Sequence, residues 1–219
     1  MIKDLEVIKK IRRSDCLNYE KFDKTYNLDT GHPILPTSDG SGEMRPGSIG
    51  NSIYIPGSCH YEVTALECLD MINAELVKDK DIDKYTFIDV GSGKGRVLFY
   101  NLIKNSPYKE YYGIEADPLF HQIAEKNKTT FNLPIKKGLT FINANAKNYI
   151  VENRDCVYNF YSPFSKEIFD KFMLNNWGII KNTKSYFSFW FETDYEMRRY
   201  LDKPPIYDYA GVTIYKVHE

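Results

Sequence analysis

Apolar residues along this 219-residue chain follow two rhythms: short unbroken runs, and longer stretches spaced by threes and fours. The short runs are Phe87-Ile88 with Val90, Tyr111-Tyr112 with Ile114, Leu139 to Ala144, Cys156 to Tyr161 and Ser185 to Phe191. Runs of that length, rich in aromatic and β-branched residues, predict buried strands. Between them lie helical patterns: Val97, Leu98, Leu102 and Ile103; Phe120, Ile123 and Ala124; Ile168, Phe169, Phe172 and Met173. Strands alternating with helices predict a mostly parallel α/β sheet. A short helix is expected near Lys147 to Val151, and another from Asp194 to Leu201 that Pro204-Pro205 stops. Ile206 to Tyr209 and Gly211 to Val217 read as a closing hairpin. Upstream, Val63, Leu66, Leu69, Ile72 and Leu76 predict a helix capped by Ser58 and packed on the sheet. Ile2, Leu5, Ile8 and Ile11 predict a short amphipathic helix with a basic, solvated face.

The pattern is centred on Tyr85 to Arg96, where an apolar run carries one acid, Asp89, and is followed by Gly91, Gly93 and Gly95. This order is strand, tight turn, helix, and glycines suit a turn that needs positive φ or leaves no room for a Cβ. A dinucleotide fingerprint spaces its glycines G-x-G-x-x-G, with a pyrophosphate on the helix N-terminus. Here the spacing is G-x-G-x-G, and a carboxylate two residues before the first glycine repels phosphate but suits an ammonium group. Taken alone, such a turn is equally an ordinary strand-to-helix loop. The second strand adds Glu115, about twenty residues further on, where a ribose-binding acid is expected. Asp117-Pro118 then predicts an N-cap with proline at the first helical position.

Asp89-x-Gly-x-Gly resembles motif I of the class I S-adenosylmethionine-dependent methyltransferases. The chain looks like a small bacterial-type member of unassigned substrate. It offers Phe22-Asp23…Asp29-Thr30, Tyr54-Ile-Pro56, Asp89 to Arg96, Gly113-Ile-Glu115 and Ser162-Pro163-Phe164 at the places where such proteins carry their shared segments. The resemblance implies a Rossmann-like fold: a mostly parallel seven-stranded sheet, helices on both faces and a C-terminal antiparallel hairpin. It implies S-adenosylmethionine as cofactor and S-adenosylhomocysteine as product. Gly91, Ser92, Gly93 and Gly95 would approach the methionine moiety and ribose through backbone, Asp89 the amino group, and Glu115 the ribose. Asn145, where the family often has Asp, would bond the adenine amine, or is simply a turn residue. Ala146 or Ala144 would pack on the ring. Arg96, Ala116, Phe160 and Tyr54 complete the expected cofactor surroundings, Tyr54 by closing over it.

Methyl transfer requires alignment of a nucleophile with the methyl group, and a base only where the acceptor loses a proton. Ser162-Pro163-Phe164 has three of the elements of the Asp/Asn/Ser-Pro-Pro-aromatic run of amino-methyltransferases but lacks the second proline. It points to an amine or amide acceptor bonded by Ser162, with Phe164 stacking on it, or else is a plain strand-to-helix turn. Asp23, Asp29, Tyr26 and His32 are further candidates, one of them as base. They lie in an N-terminal extension, residues 1–57, expected as a lid before the cofactor-binding domain, residues 58–219. His60 and His121 read as structural.

Composition narrows the classes. Hydrophobic content of 42% and charged content of 27% describe an ordinary globular chain, and a net charge of −1 gives no footprint for nucleic acid as a whole. Lys126, Lys128, Lys136, Lys137 and Lys147 leave a local basic region, so an RNA- or DNA-directed methyltransferase stays open as the second reading. A cofactor-binding protein without catalysis is the third. A dehydrogenase is the fourth, disfavoured by the glycine spacing. Cys16, Cys59, Cys68 and Cys156 show no metal-ligand spacing, so reduced thiols, no metal and a cytoplasmic location are expected. No run is long enough to cross a bilayer, and the N-terminus is too charged for a signal peptide.

Overall fold

The computed structural model describes residues 20–31, 64–161, 163–190 and 197–218. The expected N-terminal amphipathic helix, the Ser58 cap, and Tyr54, His32, His60 and Ser162 lie outside these residues.

Seven strands form one sheet: β1 (Thr86–Val90), β2 (Glu110–Glu115), β3 (Gly138–Asn143), β4 (Cys156–Phe160), β5 (Tyr186–Trp190), β6 (Tyr207–Tyr209) and β7 (Val212–Lys216). Their order is β3-β2-β1-β4-β5-β7-β6. The first five are parallel, and β7 joins antiparallel to β5 and to β6. This is the class I methyltransferase plan that the sequence resembles, hairpin included. β1, β4 and β5 are buried at every position. Covered on both faces, they have no reason to alternate polar with apolar, which is why they appear as unbroken apolar runs.

The helices are α1 (residues 20–26), α2 (Leu66–Leu76), α3 (Arg96–Ile103), α4 (Pro118–Thr130) and α5 (Lys166–Ile180). Side chains of α2, α3 and α4 share one core with Phe87, Tyr111, Leu139, Val157, Tyr186 and Trp190. Side chains of α5 share the other with Ile88, Val90, Tyr158, Phe160, Phe187 and Phe189. Successive strand residues point to opposite faces, so Asp89 shares a face with Phe87. α4 starts as its sequence requires: Asp117 accepts from Leu119 N (2.8 Å) and Phe120 N (3.4 Å), with proline in the first turn. The expected helix at 147–151 is a single 3-10 turn, Ala146–Asn148, and the described part of the expected 194–201 helix is another, Met197–Arg199. Three residues are too few for an α-helical hydrogen-bond ladder, and the side chain of Asn145 caps the first turn through Lys147 N (3.1 Å).

Candidate functional site

The strand order reverses between β1 and β4, and in open α/β sheets a ligand crevice lies beyond the strand ends at such a point. The glycine turn leaves β1 there. Gly91, Gly93 and Gly95 take φ of 85°, 52° and 88°. A Cβ on Gly91 would collide with the Cβ of Pro163, and one on Gly95 would meet Phe141 Cζ at 2.7 Å. The turn is therefore closed from beneath and beside by protein.

Its backbone donors are directed inward. Gly91 N and Ser92 N both donate to Ile114 O, at 2.8 and 3.0 Å. Gly93 N donates to Glu115 Oε2 at 2.7 Å, and Gly95 N to Ser92 O at 2.9 Å. An anion-binding turn points such N–H groups at its ligand. These four are engaged within the fold. The Ser92 hydroxyl is buried without a hydrogen-bond partner among the described residues, close to where a Cβ on Gly113 would stand.

The cations of the turn are engaged by protein acids, hydroxyls and carbonyls. Lys94 is buried, and its Nζ bonds Asp29 Oδ1 (2.7 Å) and Gly31 O (3.1 Å). The Arg96 guanidinium reaches Thr30 Oγ1 (3.1 Å), Thr64 O (3.4 Å) and Asp23 Oδ1 (4.0 Å), and lies over the Phe22 ring. Asp23 in turn accepts from Thr30 N (2.7 Å), Gly31 N (2.8 Å) and the Thr30 hydroxyl. Asn127 of α4 bonds Asp29 through both main-chain groups (2.8 and 2.9 Å) and Lys94 O (3.0 Å). Residues 20–31 are thus strapped to the glycine turn and α4. Asp23 and Asp29, expected as acceptor-site acids, are placed as partners of Arg96 and Lys94, and Arg96, expected beside the cofactor, holds this strap.

Two acids remain at the crevice. Asp89 is buried in the sheet, and its Oδ1 accepts from Asn159 Nδ2 at 2.8 Å. No donor among the described residues reaches its Oδ2. Burial raises the Asp89 carboxyl to about 7; the Asn159 bond opposes this, and the charge of Glu115 adds to it. Glu115 is also raised, again mainly by burial, although Gly93 N and Asp117 N (2.7 Å each) support its ionised form. A carboxylate has about four lone-pair sites, so Glu115 keeps room for further donors.

The Asp89 shift has a testable consequence for stability. Its folded value lies above the ordinary carboxylate range, so its contribution is complete below that range and is lost as pH rises through about 7. Asp89→Asn should therefore raise the melting temperature of the ligand-free protein at about pH 8, with the gain shrinking as pH falls and vanishing only below about pH 4. A thermal melt series across that range checks it; equal gains at both ends contradict it.

Other expected residues are placed as follows. Ala116 is half-buried just beyond β2, where Asn143 Nδ2 binds its carbonyl (3.3 Å). Asn145 is half-buried at its turn, and Ala146 packs in the α5 core. Phe160, expected near the cofactor, and Phe164, expected to stack on the acceptor, are placed in the core. Both rings are buried in the α5 cluster, 6.0 Å apart, and Phe160 also contacts Phe169, Phe172, Phe187 and Phe189. Strand alternation puts the Phe160 side chain on the sheet face opposite Asn159. Of the basic region, Lys137 bonds Ser106 O (2.6 Å) and lies over Tyr111. Asn159 and Ser188 were missed, because a single polar residue inside an apolar run carries no motif. Among the described residues, no cluster of His, Cys, Asp and Glu is placed to hold a metal, and no helix is long and apolar enough to cross a membrane.

No family model and no curated protein matches the sequence. Similar solved structures include the Thermoplasma acidophilum 1320 protein (15% identity, 71% of this chain and 89% of that one, TM-score 0.47). Others are an S-adenosylmethionine-dependent methyltransferase from Clostridium acetobutylicum (15%, 58% and 50%, 0.43) and TrmK of M. capricolum in complex with S-adenosylhomocysteine (15%, 66% and 66%, 0.42). The chain spans between half and two-thirds of the length of several such structures.

Proposed function

We propose that the chain is an S-adenosylmethionine-dependent methyltransferase with its cofactor on the glycine turn. One observation carries this reading: the turn offers acceptors. Its inward N–H groups, its Lys94 and Arg96 engaged with residues 20–31, and the two acids Asp89 and Glu115 make a poor seat for phosphate. They suit a ligand bearing an ammonium and hydroxyl groups. Asp89 Oδ2 would take the ammonium, and the open lone pairs of Glu115 the ribose hydroxyls. Asn145 and Ala116, at the ends of β3 and β2, would flank the adenine.

When bound, this cofactor supplies an electrophilic methyl group on a sulfonium. The protein's part is to fix that methyl in line with an acceptor lone pair, an effect of proximity rather than of acid or base. A proton lost by an amine acceptor would pass to solvent or to a base. An amine or amide acceptor, on a small molecule or a protein, is the class that Ser162-Pro163 favours, with Phe164 acting as a core residue that fixes this loop. An RNA or DNA acceptor is the alternative.

Calorimetric titration of Asp89→Ala and Glu115→Ala with S-adenosylmethionine tests the site. Each variant should bind at least about thirtyfold more weakly than wild type, the loss expected when one partner of a buried charged pair is removed. Circular dichroism should show the fold intact. Wild-type affinity in either variant would overturn that residue's role. For the ammonium, wild-type affinity should also fall toward acid, by up to about tenfold per unit below pH 7, because protonated Asp89 must first release its proton. A flat profile between about pH 5 and pH 8 contradicts this.

A further inference from the structure

Asp89, Asn159 and Ser188 occupy facing positions on three adjacent strands: Asp89 pairs with Asn159 across β1 and β4, and Asn159 with Ser188 across β4 and β5. All three are buried. Ser188 Oγ donates to Asn159 Oδ1 at 3.0 Å, and Asn159 Nδ2 donates to Asp89 Oδ1 at 2.8 Å. A file of polar side chains through an otherwise apolar sheet is costly to bury and useful only if every member is satisfied.

Its direction follows from chemistry. An ionised carboxylate only accepts, so Asn159 must turn its NH₂ toward β1 and its oxygen toward β5. Ser188, able to donate or accept, is thereby obliged to donate. With the amide reversed, two acceptor oxygens would face each other across β1 and β4. Ser188 is the group that makes the productive orientation the satisfied one.

We propose that Asn159 and Ser188 are positioning residues which hold Asp89 with one oxygen engaged and the other presented to the cofactor's ammonium. This rests on the cofactor reading above. The file ends at Asp89, and Glu115 on β2 is the charged group that bears on it; Asn159 and Ser188, facing it from β4 and β5, are neutral. Losing Ser188 leaves Asn159 Oδ1 buried without its donor, and losing Asn159 leaves the carboxylate without its own.

Two measurements decide the matter, on wild type, Ser188→Ala, Asn159→Leu and Ser188→Thr. The first follows the Asp89 side-chain carboxyl by ¹³C NMR through a pH titration of the ligand-free protein. Its midpoint should move upward in Ser188→Ala and further in Asn159→Leu, and return toward wild type in Ser188→Thr, which restores the hydroxyl. The second is calorimetry with S-adenosylmethionine. At neutral pH, affinity should fall about threefold to tenfold in Ser188→Ala and about tenfold to a hundredfold in Asn159→Leu. Part of the loss should be recovered at higher pH, a pattern that general loosening of the sheet would not give. Unmoved midpoints with unchanged affinities overturn the proposal. If Asn159→Leu does not fold, Ser188→Ala and its threonine rescue carry the decision. If wild type binds no S-adenosylmethionine, the cofactor reading falls and the ligand-presenting role with it, whereas the NMR midpoints still decide whether Asn159 and Ser188 orient Asp89.

Discussion

Gly95→Ala should lower stability by about 2–5 kcal/mol, the sum expected of a left-handed backbone forced on a residue with a Cβ and of overpacking against a ring. Both causes act at this position: φ is 88°, and the new carbon would stand 2.7 Å from Phe141 Cζ and 3.0 Å from Phe99 Cε2. Gly95 is the N-cap of α3, so relief by backbone movement would tilt the helix against the turn. Gly178 supplies an internal control. It lies inside α5, where a Cβ would meet no other part of the described residues within 4 Å, and Gly178→Ala should stabilise by about 0.5–1 kcal/mol. Denaturant unfolding of both variants checks the pair. Equal effects would show that the glycine turn is not conformationally exacting.

Asn127→Ala should release residues 20–31 from the turn. Asn127 is buried in α4, and its amide makes three hydrogen bonds, two to Asp29 main chain and one to Lys94 O. The peptide of residue 29 is gripped on both sides by one side chain, as a neighbouring strand would grip it. Alanine leaves these groups without that partner, at about 1–3 kcal/mol for each one that stays buried and unpaired. The strap retains Arg96 with Asp23 and Thr30, and the packing of Phe22 on Tyr26 and Tyr100. Local opening rather than global unfolding is therefore expected. Limited tryptic cleavage at Lys21 and Lys24 should accelerate at least about tenfold while the core resists, if the loss is near 1.4 kcal/mol or more. Cleavage at the wild-type rate would contradict the strap. Cofactor affinity should weaken as well, because Lys94 belongs to both strap and turn.

These two positions show what the chain reveals unaided and what it hides. The strands, the turn, the Asp117 cap and the hairpin are legible because each depends on local rules: apolar run length, glycine spacing and the fixed φ of proline. Asp89 and Glu115 are legible because an acid at a strand end interrupts an apolar run. The destinations of Lys94 and Arg96 are not, since a basic turn reads as ligand-binding until long-range partners are known. Asp29 and Lys94 lie 65 residues apart in sequence, and Asp29 and Asn127 lie 98 apart. The packing of Phe160 and Phe164 is hidden for a related reason. The Ser162-Pro163-Phe164 motif does not show that alternation along β4 and the apolar face of α5 place both rings in the core.

The most direct measurement is calorimetric titration of the wild-type chain with S-adenosylmethionine, S-adenosylhomocysteine and NAD at neutral pH. The geometry of the turn predicts micromolar binding of the first two and none of the third, since both carry the ammonium and ribose hydroxyls that Asp89 and Glu115 would accept. Binding of NAD without S-adenosylmethionine, or of neither sulfur compound, would contradict the assignment of this turn as a cofactor seat built from acceptors.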